Sequence, residues 1–169
     1  MKQARRAGMT LLELVLVMMV IFTLAMVVAP RFSDFFPSLQ VRSAASTLFA
    51  TAGKARADAV LTGVRHRLVI DTSTKTFWVA LEARPMKEPG KFEKLGGAWV
   101  DEELPRDVEI QTIDGFGTDS SSRRYLEFRS DGTSAEASVV LGNDRGDRRT
   151  IKIAAATGQA KIEAEDSVP

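Results

Sequence analysis

Glu13 is the residue of this chain whose chemistry most needs a partner. It is the single charge between Gly8 and Arg31. An acid costs roughly 2.5–3.5 kcal/mol at the centre of a membrane helix and less near an end. A carboxylate among apolar side chains therefore asks for a cation. The other candidates are thinner. His66 is the only histidine, and it shares a strand-like face with Val64, Leu68 and Ile70, the setting of a packed residue rather than a base. Ser120-Ser121-Ser122 is loop composition, with no Ser-His-Asp set beside it. Asn143, Asp144 and Asp147 place side-chain oxygens in one turn. Calcium wants about six to eight, and Arg145, Arg148 and Arg149 interrupt the set, so a solvated hairpin tip is expected. The chain has no cysteine, which excludes thiol catalysis, disulfides and Cys-zinc sites. No phosphate-binding glycine pattern is present. No metal, no cofactor and no enzymatic activity are expected.

The elements that position Glu13 come next. Met1–Gly8 carries Lys2, Arg5 and Arg6 and no acid. From Met9 to Ala29 the chain is apolar except for Glu13, about 21 residues, enough to span a bilayer as a helix. The positive-inside bias puts the N-terminus in the cytoplasm. An ordinary secretory signal fits less well. Val27-Val28-Ala29 has the small residues a signal peptidase needs, but Pro30 follows at once and blocks that cut. Cleavage after Gly8 would make Met9 the first residue and Glu13 the fifth. The new amine would stand four positions from the acid.

At these residues the chain resembles the class III signal of type IV prepilins and of type II secretion pseudopilins. That family has a basic leader, a Gly before the cut, an apolar first mature residue and a Glu in fifth place. Gly8, Met9 and Glu13 match. Pro30 falls where the family usually has a proline. Met9 is a departure, since the family more often starts with Phe. The resemblance implies that a prepilin peptidase cuts between Gly8 and Met9 and methylates the amine of Met9. It implies that Glu13 pairs with that amine, its own or the next subunit's, as an address for assembly. Pro30 would kink the helix. The bacterial inner membrane, the peptidase/methyltransferase, major and minor pseudopilins and exported cargo are the implied partners. The domain beyond the membrane would be periplasmic.

Beyond the leader (1–8) and the membrane or assembly helix (9–30), residues 31–63 read as its periplasmic continuation. Pro37 suggests a bend or short break, with Ser38 capping a new stretch. Val41, Ala44, Ala45, Leu48, Phe49, Ala52, Ala55, Ala59 and Val60 recur at helical spacing and predict one face for a core. Gly63 ends the helix. Residues 64–164 read as strands: 64–70, 76–82, 108–113, 124–129, 138–141, 149–153 and 161–163. Residues 165–169 read as a tail. One helix followed only by strands predicts an α+β fold with a mostly antiparallel sheet. Leu126–Gly132 and Ile151–Gln159 are similar to short elements of the GspH/FimT branch of the pilins. That likeness implies a minor pseudopilin of type II secretion. A FimT-like minor type IV pilin in DNA uptake or pilus assembly is the alternative, and an anchored periplasmic enzyme a third class. The stretch Gly158–Asp166 argues against nucleic acid: it has one Lys and three acids, where phosphate binding wants clustered Lys and Arg. The loops Ala83–Gly97 and Asp114–Ser122 are the expected partner contacts, through Lys87, Phe92, Phe116 and Asp119.

Overall fold

The computed structural model describes residues 10–33, 35–96 and 101–164, for 27–33, 35, 36 and 164 the backbone alone. The leader, Met9 and the tail lie outside the described residues. The chain divides into two compact units between Phe36 and Pro37.

The first unit holds helix α1, Leu11–Ser33. Thr10 opens it. The Glu13 N–H donates to Thr10 Oγ1 at 3.2 Å, and the Leu14 N–H donates to Thr10 O at 3.1 Å. Thr10 is therefore the N-cap, and Glu13 lies in the first turn, where a negative charge favours the helix dipole. Side chains from Leu11 to Met26 are exposed. Among the described residues no helix is long and apolar enough to cross a membrane. Pro30 falls in the last turn of α1.

The second unit is built on helix α2, Phe35–Thr62. The expected break at Pro37 is absent: α2 starts before it. Pro37 sits in the first turn, where its missing N–H would have no intrahelical partner anyway. Ser38 is accordingly inside the helix and not its cap. The buried stripe is Val41, Ala44, Ala45, Leu48, Ala52, Ala55 and Ala59. Phe49 and Val60, expected on that face, lie at its margins and are exposed. The small side chains of the stripe let strands pack close to the helix axis. Gly63 ends the helix at φ 69°, a left-handed conformation open to glycine.

Ten strands follow. The first sheet contains β1 (His66–Asp71), β2 (Thr76–Glu82), β3 (Phe92–Lys94), β4 (Glu102–Glu103), β6 (Gly117–Thr118) and β7 (Arg124–Phe128). Its order is β3-β2-β1-β7-β6, with β4 also on β2. The second contains β5 (Glu109–Asp114), β8 (Ala137–Gly142), β9 (Arg148–Ile153) and β10 (Ala160–Ala164), in the order β10-β9-β8-β5. All pairings are antiparallel. The α+β, antiparallel expectation holds. Two expected loops carry short strands instead. Residues 83–97 contain β3, which pairs Phe92 with Glu82 and Lys94 with Ala80. Residues 114–122 contain β6, which pairs Gly117 with Tyr125.

One core joins the helix to both sheets. Leu68, Ile70, Phe77, Val79, Leu126 and Phe128 face it from the first sheet, and Val139, Leu141, Ile151 and Ile153 from the second. Strand alternation sends the other side chains of the first sheet outward. Arg67, Val69, Trp78, Ala80, Tyr125 and Glu127 share that outer face by register.

Candidate functional site

The structure describes two places where polar chemistry is arranged. The first is the start of α1. Glu13 is exposed, and its carboxylate has no ion-pair partner among the described residues. Gly8 and Met9, where cleavage and methylation were expected, lie outside the described residues. Sequence reasoning missed the cap. Its signal was Thr10-x-x-Glu13, a capping-box pattern in front of an apolar run.

The second place is the outer face of the first sheet. Glu82 ends β2 and is buried at 2% exposure, so its charge must be matched there. Arg65 grips it: Nε donates to Oε2 at 2.8 Å, and Nη2 donates to Oε1. The Gly90 N–H adds a third bond at 2.6 Å. The bond from Arg65, then that from Gly90, holds the Glu82 carboxyl below the usual carboxylate range. Arg65 is shifted upward in turn by its bond to Glu82. Arg65 Nη1 also reaches Glu127 Oε1 at 3.1 Å, and Arg67 Nη2 lies 3.0 Å from Glu127 Oε2. The guanidinium of Arg67 is held between two rings, 3.5 Å from the centroid of Phe92 and 4.1 Å from that of Tyr125. Such cation–ring contacts fix an arginine's direction as well as stabilise it.

Beside this network lies an open trough of about 490 Å³. Trp78 stands in it, with Lys94 Nζ 5.0 Å and the Arg123 guanidinium 5.5 Å from its ring centroid. Lys94 pairs with Asp101. Arg123 pairs with Asp119, Nη2 to Oδ2 at 2.7 Å. Burial pushes the Asp119 carboxyl up, but its bonds from Arg123 and Ser121 outweigh that and leave it lowered. Asp71, at the rim, is lowered by a bond from the Ser73 hydroxyl.

Of the four expected contact residues, the structure brings Phe92 and Asp119 to this one trough. Lys87 is exposed but does not line it. Phe116 is corrected: it is 7% exposed and packed into the core, so it offers no surface to a partner. His66 is buried, with Nδ1 2.8 Å from the Val64 carbonyl. In the β8–β9 turn, the side-chain oxygen of Asn143 accepts the N–H groups of Arg145 and Asp147 at 3.1 and 3.0 Å. Its amide donates to Asp147 Oδ2 at 2.8 Å. Those oxygens stitch the hairpin tip together.

A helix packed on two antiparallel sheets in this order is the pilin-like architecture. Two structures of the minor pseudopilin EpsH of the type II secretion system of Vibrio cholerae superpose with TM-scores of 0.58 and 0.56, both at 12% identity. They cover 74% and 75% of this chain and 97% of their own. The type IV minor pilin FimU of Pseudomonas aeruginosa aligns at 20% identity over 75% of this chain and 89% of its own, with a TM-score of 0.46. No family model matches the chain, and no curated protein does. The likeness to EpsH establishes a shared pilin-like fold.

Proposed function

We propose that this chain is a minor pseudopilin, a structural subunit of the periplasmic pseudopilus of a type II secretion system. The carrying observation is the pairing of the Gly8/Met9/Glu13 pattern with a pilin-like domain superposing on EpsH at a TM-score of 0.58. Each half supports the other. A signal of this kind needs a domain that packs in a filament, and the fold supplies one. In this reading prepilin peptidase cuts after Gly8 and methylates Met9. The segment from Leu14 to Ala29 holds the subunit in the inner membrane until assembly. Glu13 pairs with the Met9 amine, because an unpaired carboxylate in a dry helix bundle is costly. The pair then selects the register of the subunit. Thr10 caps the same turn, so the acid sits on an already ordered helix start.

The test is the mature terminus. Full-length protein expressed in a host with prepilin peptidase is sequenced from its N-terminus and weighed intact. A chain beginning at methylated Met9 is expected, and any other start overturns the reading. Co-isolation with the pseudopilins of a secretion system is expected after cross-linking. Incorporation into type IV pili alone would overturn the secretion assignment.

A further inference from the structure

We propose that the trough on the outer face of the first sheet binds a neutral, hydroxyl-rich ligand, a saccharide chain. This inference goes beyond the filament reading and does not depend on it.

Size is the first argument. The trough encloses about 490 Å³, within the range of roughly 300–1,000 Å³ found for small-molecule clefts. Charge balance is the second. Arg67, Lys94 and Arg123 line it, and so do Asp71, Asp101 and Asp119. Each of the three cations is already matched, Arg67 by Glu127, Lys94 by Asp101 and Arg123 by Asp119. A phosphate would meet three carboxylates and no uncompensated cation. A cationic ligand would find Asp101 and Asp119 already paired, and Asp71 already accepting from the Ser73 hydroxyl and the Ser73 and Thr74 N–H groups. A neutral polar ligand faces neither cost.

Pre-organisation is the third argument. Hydroxyl pairs are well matched by fixed carboxylates and guanidiniums, which accept and donate in fork geometry. Here the forks are held by mutual pairing and by rings. Arg67 is clamped between Phe92 and Tyr125, and Arg123 brings Nε (2.8 Å) and Nη2 (2.7 Å) to the one oxygen Asp119 Oδ2, while Oδ1 accepts the Ser121 and Arg123 N–H groups. Trp78 supplies the apolar surface for the C–H face of a sugar ring, while Val69 and Ala80, at 7% and 5% exposure, lie buried at the base of the trough.

A peptide fits less well. The floor strands β1, β2 and β7 each have neighbours on both sides. Their backbone groups are committed to the sheet, so no ladder is left there for an added strand.

Full-length protein is kept in a phosphocholine detergent, which carries no sugar headgroup. It is titrated by calorimetry with maltotriose, cellotriose and the trimer of N-acetylglucosamine. Saturable binding of at least one is expected. Trp78→Ala and Lys94→Ala are each expected to weaken it about tenfold or more. Lys161→Ala, on the second sheet, is expected to leave it unchanged. Lys94 is half-exposed, so Lys94→Ala keeps the test valid if Trp78→Ala misfolds. Absence of binding by all three sugars overturns the proposal. So does binding that survives Lys94→Ala, or saturable binding of an unstructured peptide or an oligonucleotide in place of the sugars.

Discussion

The carboxylate of Glu82, buried at the end of β2, is held by the guanidinium of Arg65, with Nε 2.8 Å from Oε2. The pair joins the chain just before β1 to the end of β2, and the Gly90 N–H joins the following loop to it. Removing one side of such a pair strands the other charge. Arg65 is 37% exposed on its side chain, so water offsets part of that loss. Arg65→Ala is expected to cost about 2 kcal/mol, read as a lower midpoint in urea. The Glu82 carboxyl is lowered in the fold. Its contribution is therefore complete above the ordinary value of 4.5 and is lost as pH falls through the lower folded value. Acidification below pH 4.5 should destabilise the protein, and Glu82→Gln should flatten that slope while lowering stability at neutral pH. Urea titrations at pH 7 and along the acid limb measure both.

Arg56 of α2 ties two turns to the helix. Its Nε donates to Gly132 O at 3.2 Å and to Thr157 O at 2.5 Å. Gly158, beside the second turn, has φ 59°, and a Cβ there would stand 2.3 Å from Gly132 O. Arg56→Met keeps the aliphatic stem and loses both bonds, for an expected cost of about 1–2 kcal/mol. Gly158→Ala adds backbone strain and a clash, expected at about 2–3 kcal/mol. The two sites share one junction, so the double variant should lose less than the sum. A thermal-unfolding cycle checks it.

The contrast between these positions shows what was legible in the sequence. The long strands were, because 76–82 and 149–153 alternate over enough residues to declare a face. β3, β4 and β6 were not, because two or three residues carry no period. The face of α2 was read too widely. Phe49 and Val60 are helical neighbours of buried alanines but fall beyond the stripe that the sheet covers. Phe116 was read as a loop contact because it falls in the Gly/Ser/Asp-rich stretch Asp114–Ser122, and nothing local signals that it turns into the core. The Arg56 clamp spans sequence separations of 76 and 101 residues, and only tertiary packing reveals it. The same holds for the trough, whose lining comes from β1, β2, β3 and β7 together with Asp101, Asp119, Ser120 and Arg123. The capping role of Thr10 was visible four residues from end to end and was overlooked in favour of Glu13.

The turn between β8 and β9 should answer to Asn143 and not to calcium. The Asn143 side chain makes three hydrogen bonds within the turn and is itself buried. Asn143→Ala is expected to cost about 1–2 kcal/mol. Asn143→Asp keeps the acceptor but sets a second carboxylate against Asp147, and should recover little. Millimolar calcium should leave the Tm of the unmodified protein unchanged, because those oxygens are engaged. A calcium-dependent rise in Tm that Asn143→Ala abolishes would show that the turn opens to hold an ion.

Thr10 and Glu13 share the first turn of α1 and should fail differently. Thr10→Ala removes the cap, a loss of about 1 kcal/mol in helix stability, and leaves the acid in place. It should still be processed and still enter filaments, more weakly when warmed. Glu13→Gln keeps helix propensity and side-chain size and removes only the charge. It too should lose its leader normally, since Gly8 and Met9 are intact. With no carboxylate to meet the Met9 amine, it should enter filaments poorly, by tenfold or so if the pair contributes about 1.4 kcal/mol to register. Intact mass reports leader removal, and subunit recovery from sheared filaments reports incorporation. If Glu13→Gln assembles as well as the unmodified chain while Thr10→Ala does not, the acid serves only the helix start and its pairing with the amine is wrong.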